Sequence, residues 1–201
     1  MVIIALSGCD GSGKTTIAKK LMILFKVLGF DVMYKHEYDY VVLKYLFKLI
    51  GEERIENERK RMIIERKRSV KYYLWPLLVW IDALIQYMYF KVFMKKKVVI
   101  LDRYLYDHYL SFKYLGYLTR LTEWLYRRFP KADVNIVLWV DPRIAYNRKR
   151  ATHSYNLGFY IRQTYEYLRL AKELNLPTIN TQRNVSETLI EVLKVVLYSK
   201  K

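Results

Sequence analysis

The sequence predicts an α/β protein whose parallel five-stranded sheet carries helices on both faces, in three layers. Short apolar runs, suited to strands buried on both faces, alternate with longer segments of helical periodicity, and no hairpin turn joins the runs. Strands that alternate with helices need crossover connections, which produce a parallel sheet. Because the chain shows neither an internal repeat nor a linker, we expect residues 1–201 to form a single domain.

Two of the predicted strands, the first and the third along the chain, are continuous apolar runs, and the other three include polar residues. The fourth strand stops at Asp141-Pro142, because proline cannot continue a sheet ladder. The five predicted strands are Met1–Leu6, Asp31–His36, Val98–Leu101, Val134–Val140 and Thr178–Asn180.

The predicted helices place apolar residues three and four positions apart, and the first of them ends at Gly29. The charged stretch Glu52–Arg68 has the mixed acidic and basic order of a solvated helix face. Helices are predicted at Lys14–Leu28, Tyr40–Ile50, 74–90, Gly158–Leu174 and Ser186–Tyr198, with two more inside Tyr104–Phe129 that break near Gly116.

Composition excludes several classes of protein. Hydrophobic residues make up 53% and charged residues 27% of the chain, so it is neither disordered nor fibrous. The single cysteine, Cys9, cannot form an internal disulfide, and no signal-peptide pattern opens the sequence, so we expect a cytoplasmic location. The net charge of +17 attracts phosphates and other anions. Abundant Lys, Arg and Tyr with few Gln also fit a thermophile.

Residues 74–90 are apolar enough to raise the question of a membrane span. Pro76, Asp82 and Gln86 interrupt the stretch, which is also shorter than the roughly 20 residues that a bilayer requires. A helix that is apolar on most sides is typical of a protein core. We therefore expect a buried core helix and no membrane partner.

The segment from Gly8 to Thr15 has the spacing of a Walker A phosphate-binding loop and lies between a predicted strand and a predicted helix. Its glycines permit backbone conformations that point N–H groups at phosphate oxygens. Lys14 can reach the β- and γ-phosphates, and the Thr15 hydroxyl can bind Mg²⁺. ATP is therefore predicted to contact Gly8, Cys9, Asp10, Gly11, Ser12, Gly13, Lys14, Thr15 and Thr16.

Two further segments complete the predicted phosphoryl-transfer site. The apolar run Val98–Leu101 is followed by Asp102, as in a Walker B strand, and Asp102 is predicted to join Thr15 at Mg²⁺. Residues 142–165 contain no acid, and such a basic loop can close over a polyphosphate, so we predict a lid at approximately 142–158. The predicted catalytic residues are Lys14, Arg103, Arg148 and Arg150.

These motifs resemble those of the thymidylate kinase family of P-loop nucleoside monophosphate kinases, and the likeness runs nearly end to end. The matching pieces are GCDGSGKTT at 8–16, Asp102-Arg103-Tyr104, Asp141-Pro142 and the string from Arg162 to Tyr165 within IRQTYEYLRLA. The resemblance implies a P-loop kinase fold with a short basic lid, a homodimer, and Mg²⁺-dependent transfer of a phosphoryl group from ATP to a nucleoside monophosphate such as dTMP.

The same resemblance distributes roles among the residues. It implies that Asp102 serves Mg²⁺ and that the lid arginines serve the ATP phosphates and the transition state. It also implies that adenine lies near Asn180–Asn184. The acceptor is expected at Glu37, Arg103 and Tyr104.

The chain departs from the family where the acceptor would bind. The phosphate-binding arginine of the family's long helix coincides with Ala83, and the segment that recognises thymine coincides with Leu110–Phe112. The family's Arg-Glu-Pro becomes His36-Glu37-Tyr38, and the DRxE of the lid is absent. The resemblance therefore supports the binding of the phosphate donor ATP more strongly than it supports a particular acceptor.

Three other functions fit parts of the sequence. A hydroxyl acceptor needs a base, and Glu37 or Asp107 could accept its proton, which would make the protein a kinase of a nucleoside or another hydroxyl compound. The charge and the 20 tyrosines also fit a nucleic-acid-associated ATPase or a polynucleotide kinase. Tyrosines such as Tyr87 and Tyr89 lie on an apolar helix, where packing is their usual role, so nucleic acid is not the expected partner. A slowly hydrolysing switch would need no lid arginines.

Overall fold

A computed structural model describes residues 1–36, 43, 45, 48, 70–94, 97–152 and 155–199. The chain divides into two compact units, of which the first comprises Met1–His36, Lys96–Tyr104 and Lys131–Lys201, and the second Glu37–Lys95 and Leu105–Pro130. The described elements are β1 (Val2–Gly8), α1 (Lys14–Val27), β2 (Val32–His36), α2 (Val70–Phe93), β3 (Val98–Asp102), α3 (Leu105–Leu115), α4 (Arg120–Arg127), β4 (Val134–Trp139), α5 (Pro142–Lys149), α6 (Leu157–Leu174), β5 (Thr178–Asn180) and α7 (Val185–Tyr198).

The first unit contains the sheet, whose five strands are all parallel in the order β2-β3-β1-β4-β5. β1 is central, with Val2 opposite Val98 on one side and Ile4 opposite Val134 on the other. Ligands of such sheets bind beyond the carboxyl ends of the strands. The predicted α/β class and the parallel five-stranded sheet are confirmed.

The core of this unit fixes where α1 begins. Ile4 and Leu6 of β1 are fully buried against Ile17 and Leu21 of α1, in a cluster that also includes Val192 of α7. Burying each of these side chains contributes about 1.5–3 kcal/mol. The packing therefore holds the N-terminus of α1 just beyond the end of β1.

The second unit contains α2, α3 and α4, and buried hydrogen bonds tie its helices together. Tyr126 donates from its hydroxyl to the carbonyl oxygen of Pro76 over 2.9 Å. The Asp82 carboxylate, 2% exposed, accepts a 2.9 Å hydrogen bond from the backbone N–H of Leu43. α4 is capped by Thr119, whose side chain accepts from the N–H of Thr122.

α2 differs from the buried core helix that its composition predicts. Only 22% of its apolar stretch Tyr72–Phe93 is buried, because one face packs through residues such as Val79 and Phe90 while the opposite face is exposed. By length and composition alone, this stretch could cross a membrane, and one such helix is weak support for a span. A stripe of exposed apolar residues runs along this face: Leu74, Leu78, Ile81, Ile85, Met88 and Val92.

The basic segment after β4 also differs from its prediction, because it begins with the helix α5 rather than with a loop. The Asp141 side chain accepts from the N–H of Arg143 over 2.8 Å, and Pro142 occupies the first turn, so the two residues that end the strand also start a helix. The predicted helix Tyr40–Ile50 lies outside the described residues except for helical Leu43, Tyr45 and Lys48, and Glu52–Arg68 lies wholly outside them.

Candidate functional site

The Walker A loop connects β1 to α1 as predicted, and two of its glycines are required by close backbone contacts. Gly8 has φ 149° and Gly11 has φ 82°, conformations that favour glycine. A Cβ atom on Gly8 would overlap the carbonyl oxygen of Leu138 in β4. On Gly11 it would lie 2.8 Å from the carbonyl oxygen of Ala145 in α5. The loop is therefore packed between β4 and α5.

The N-terminus of α1 is suited to an anion. Its N-cap, Gly13, contributes no side-chain hydrogen bond, and the first turn carries no acidic residue. The first N–H groups of a helix lack intrahelical partners and carry a partial positive charge. Together with the loop, this terminus can bind phosphate oxygens.

Lys14 is held inside the loop rather than in solvent. Its side chain is 4% exposed, and its ammonium group donates to the carbonyl oxygens of Gly8 over 2.7 Å and Cys9 over 2.8 Å. The Cys9 thiol is buried and free. The positive charge of Lys14 is thus fixed within the Walker A loop.

A cavity of about 340 Å³ lies against the loop and brings most of the predicted donor-site residues together. Asp10 to Thr16 line it, with Arg103 and Arg148. Its other lining residues are Ile17, Lys149, Thr181, Arg183, Val185 and Thr188. Gly8, Cys9, Asp102, Tyr104 and Arg150 do not line this cavity, although all five are described.

Arg103 is fixed by an ion pair and by an unusual backbone conformation. Its guanidinium group lies 2.5 Å from the Asp10 carboxylate, and its backbone N–H donates to the carbonyl oxygen of Leu6 over 2.9 Å. Its φ of 86° is rare for a residue with a side chain. Such conformations cluster at functional sites, and here the result is an arginine at the cavity.

Asp102 ends β3 with a fully buried carboxylate whose two oxygens differ. Oδ2 accepts a 2.9 Å hydrogen bond from the Tyr34 hydroxyl and lies 3.8 Å from Nε2 of His36. Oδ1 is buried with no hydrogen-bond partner in the described part of the chain. A buried carboxylate oxygen left in this way fits a cation or its coordinated water, so the residues present fit Mg²⁺.

Two segments after β4 contact the Walker A loop. Arg148, in α5, donates to the carbonyl oxygen of Gly11 over 3.0 Å. Gln163, in α6, accepts from the N–H of Asp10 over 2.9 Å. One turn earlier in α6, Tyr160 is fully buried, and burial followed by the charge of Asp10 raises the pKa of its hydroxyl. Of the two predicted lid arginines, only Arg148 reaches the described cavity.

Further residues of the site come from distant segments, and two of them, Tyr34 and Gln163, were not predicted from the sequence. Arg183 belongs to the segment Asn180–Asn184 that the family resemblance places near adenine; it follows β5, lines the cavity and forms an ion pair with Glu191. Its position beyond the carboxyl end of a strand is the signal that could have identified it. Tyr34 and Gln163 carry no such signal in the sequence. The tertiary structure alone brings each of them to its partner, Asp102 for Tyr34 and Asp10 for Gln163.

The structure describes only some of the residues that were predicted to bind the acceptor. Tyr104 is 6% exposed, while Glu37 and the lid residue His153 lie outside the described residues. Ala83 follows the buried Asp82 on α2. Ser111, in the segment expected to recognise the base, donates its hydroxyl to the carbonyl oxygen of Asp107 over 2.8 Å.

Comparison with known proteins identifies the family. A family model described as thymidylate kinase matches residues 6–192. The chain belongs to the thymidylate kinase family. It is 28% identical to the "Probable thymidylate kinase" of Pyrococcus abyssi, over 96% of this chain and 94% of that protein. It is 26% identical to the "Probable thymidylate kinase 1" of Saccharolobus solfataricus, over 96% of each chain. A third relative, from Staphylothermus marinus, is 27% identical over 96% of this chain and 94% of its own length.

Membership confirms the resemblance that the motifs indicate. The chain is an ATP-dependent nucleotide kinase of the nucleoside monophosphate class. The relatives come from thermophilic archaea, which agrees with the thermophile-like composition of the sequence.

Proposed function

We propose that the protein transfers the γ-phosphoryl group of ATP, with Mg²⁺, to dTMP. The observation that carries this proposal is the cavity that combines the Walker A loop with cationic side chains from three other segments. The relatives' names support dTMP as the acceptor. The uninterrupted family match over residues 6–192 supports one kinase domain, which we place in the cytoplasm.

On the donor side, the loop and the α1 N-terminus bind the phosphates through backbone N–H groups, and Lys14 neutralises the β- and γ-phosphates. Thr16 and Ser12 complete the loop, with Ser12 fully buried and Thr16 exposed at the cavity. Arg183 and Thr181, beyond β5, contact the part of the nucleotide farthest from the γ-phosphate.

Between donor and acceptor, the chain supplies positioning and positive charge. A monophosphate oxygen is already ionised near neutral pH, so no base is required. Arg103 binds the acceptor phosphate, and Asp10 holds its guanidinium group in place. Arg148 stabilises charge that develops on the transferred group, and we assign the same role to Arg150 when the proposed lid at 142–158 closes.

Asp102 and Thr15 would hold Mg²⁺, directly or through water. The ion would supply neutralisation of phosphate charge during transfer. The chain's own contribution is the buried Oδ1 of Asp102 and the Thr15 hydroxyl beside the cavity.

The test is ADP formation from ATP and Mg²⁺ with a panel of acceptors: the common nucleoside monophosphates, the matching nucleosides and a 5′-hydroxyl oligonucleotide. We expect the highest kcat/KM with dTMP. Turnover of nucleosides but of no monophosphate would contradict the proposal and favour a hydroxyl kinase with Glu37 as base. Turnover of the oligonucleotide alone would favour a polynucleotide kinase.

We also propose that the protein is a homodimer joined through the exposed face of α2. The residues of that face, defined above, are spaced four and three apart, which is the seam of a helix pair. These six side chains are all apolar, so a second copy of the same stripe is complementary to it.

Sedimentation velocity tests the dimer. Ile81→Glu should give a monomer, whereas Ile190→Glu should leave the dimer intact, because Ile190 is similarly exposed, at 52% against 41% for Ile81, but lies on α7. A wild-type monomer at micromolar concentration would contradict the proposal, as would an unchanged dimer with Ile81→Glu.

A further inference from the structure

Tyr34 is placed by the sheet to act on Asp102. β2 and β3 pair in parallel with His36 opposite Asp102, and Tyr34 lies two residues before His36, so the side chains of Tyr34 and His36 project from the same face of β2. The Tyr34 ring packs partly buried against the core of the first unit. The ring is therefore anchored, and only its hydroxyl reaches the carboxylate.

The hydrogen bond from Tyr34 distinguishes the two oxygens of Asp102. Oδ2 is engaged by the hydroxyl at 2.9 Å, and the imidazole of His36 lies 3.8 Å from the same atom. Oδ1 is buried and has no partner in the described segments. A carboxylate fixed through one oxygen cannot exchange its oxygens without breaking that bond.

We propose that Tyr34 is a positioning residue for the metal site, holding Asp102 so that Oδ1 alone serves Mg²⁺ or its coordinated water. The inference rests on the proposed function, which assigns Asp102 to Mg²⁺. Groups that orient a metal ligand affect metal affinity strongly, whereas a hydrogen bond that only stabilises the fold does not.

Calorimetric titration with a non-hydrolysable ATP analogue tests this role without relying on turnover. The quantity measured is the ratio of the analogue's Kd in EDTA to its Kd in excess Mg²⁺. We expect Tyr34→Phe to lower this ratio by about tenfold, because the carboxylate loses its orientation, while the Kd in EDTA stays unchanged. Asp102→Asn should lower the ratio at least as much.

The matched control is Tyr126→Phe, which also removes a hydroxyl that donates over 2.9 Å, but to Pro76 in the second unit. It should leave the ratio unchanged. A wild-type ratio with Tyr34→Phe, together with a reduced ratio with Asp102→Asn, would overturn the role of Tyr34 and leave the Mg²⁺ assignment intact. A wild-type ratio with Asp102→Asn would overturn both. Equal losses with Tyr34→Phe and Tyr126→Phe would show a general effect on stability and would also overturn the inference.

Discussion

The two units of the molecule differ in how their polar residues are arranged along the sequence. In the first unit, consecutive residues from Asp10 to Thr16 line one cavity, and the chemistry that we propose there depends mainly on that loop, with arginines from other segments beside it. In the second unit, polar groups such as Asp82 and Asp107 are buried on separate helices. A local loop keeps its function as long as its spacing is kept, whereas a site built from several helices can change with each side chain. The family resemblance accordingly holds for the donor motifs and fails at Ala83.

The largest effect is expected from the loop of the first unit. Lys14→Ala should lower kcat for phosphoryl transfer by at least about 10³-fold, or about 4 kcal/mol of transition-state stabilisation, with the circular dichroism spectrum unchanged. Lys20→Ala, on an exposed position of the same helix, is the control and should retain full turnover. Wild-type turnover with Lys14→Ala would refute the Walker A assignment.

A second test compares the two lid arginines. Arg148→Ala should lower kcat by about 30- to 100-fold with a smaller change in KM for ATP, because its charge acts mainly in the transition state. We expect a smaller loss with Arg150→Ala, since Arg150 does not line the described cavity. Steady-state kinetics with varied ATP measure both constants. A rise in KM alone would assign Arg148 to ground-state binding.

In the second unit, the expected effect is on stability. Asp82→Ala should lower the free energy of unfolding by about 1–3 kcal/mol, because the buried N–H of Leu43 loses its acceptor. Asp82→Asn keeps an acceptor oxygen and should cost less. Asp31→Ala is the control, since its exposed carboxylate forms a 3.1 Å surface ion pair with Lys97. Urea denaturation measures all three, and equal losses with Asp82→Ala and Asp31→Ala would show that the buried contact is not stabilising.

The smallest expected effect is a pH dependence that originates in α3. Burial, followed by the hydrogen bond to Glu123, raises the pKa of Tyr109 to about 12. An unfolded tyrosine ionises near pH 10, so the stability that this group contributes is present below pH 10 and is lost as the pH rises through about 12. Urea denaturation between pH 8 and 12 should show a shallower decline with Tyr109→Phe than with wild type. Parallel curves would indicate that Tyr109 ionises as freely in the folded protein.

Much of the fold could be predicted because its signals are local. The short segment Thr178–Asn180 is a strand with the predicted bounds, and α1 begins at Lys14 as predicted. α5 was missed because its basic residues conceal any apolar periodicity, and Asp141-Pro142 ends a strand and begins a helix with the same two residues. The prediction that α2 is a buried core helix was wrong because an apolar composition does not show which face of a helix is covered.

The part of the candidate site that is contiguous in sequence could be predicted, and the contacts between distant residues could not. The loop from Asp10 to Thr16 is contiguous in sequence, so its spacing alone reveals it. The contact between Gln163 and Asp10 joins positions 153 residues apart, and the contact between Tyr34 and Asp102 joins positions 68 apart. Both depend on strand register and helix packing, which no local pattern encodes.

The close approach of Gly11 to Ala145 has a consequence for protein engineering. A side chain at position 11 would push against the α5 backbone, which also carries Arg148 to the carbonyl oxygen of Gly11. The Walker A loop and α5 would therefore have to be exchanged together. If the loop of another kinase has a larger residue at the position of Gly11, grafting that loop would also require the α5 segment of the same kinase. Directed evolution should likewise recover changes at position 11 together with changes in α5 near Ala145.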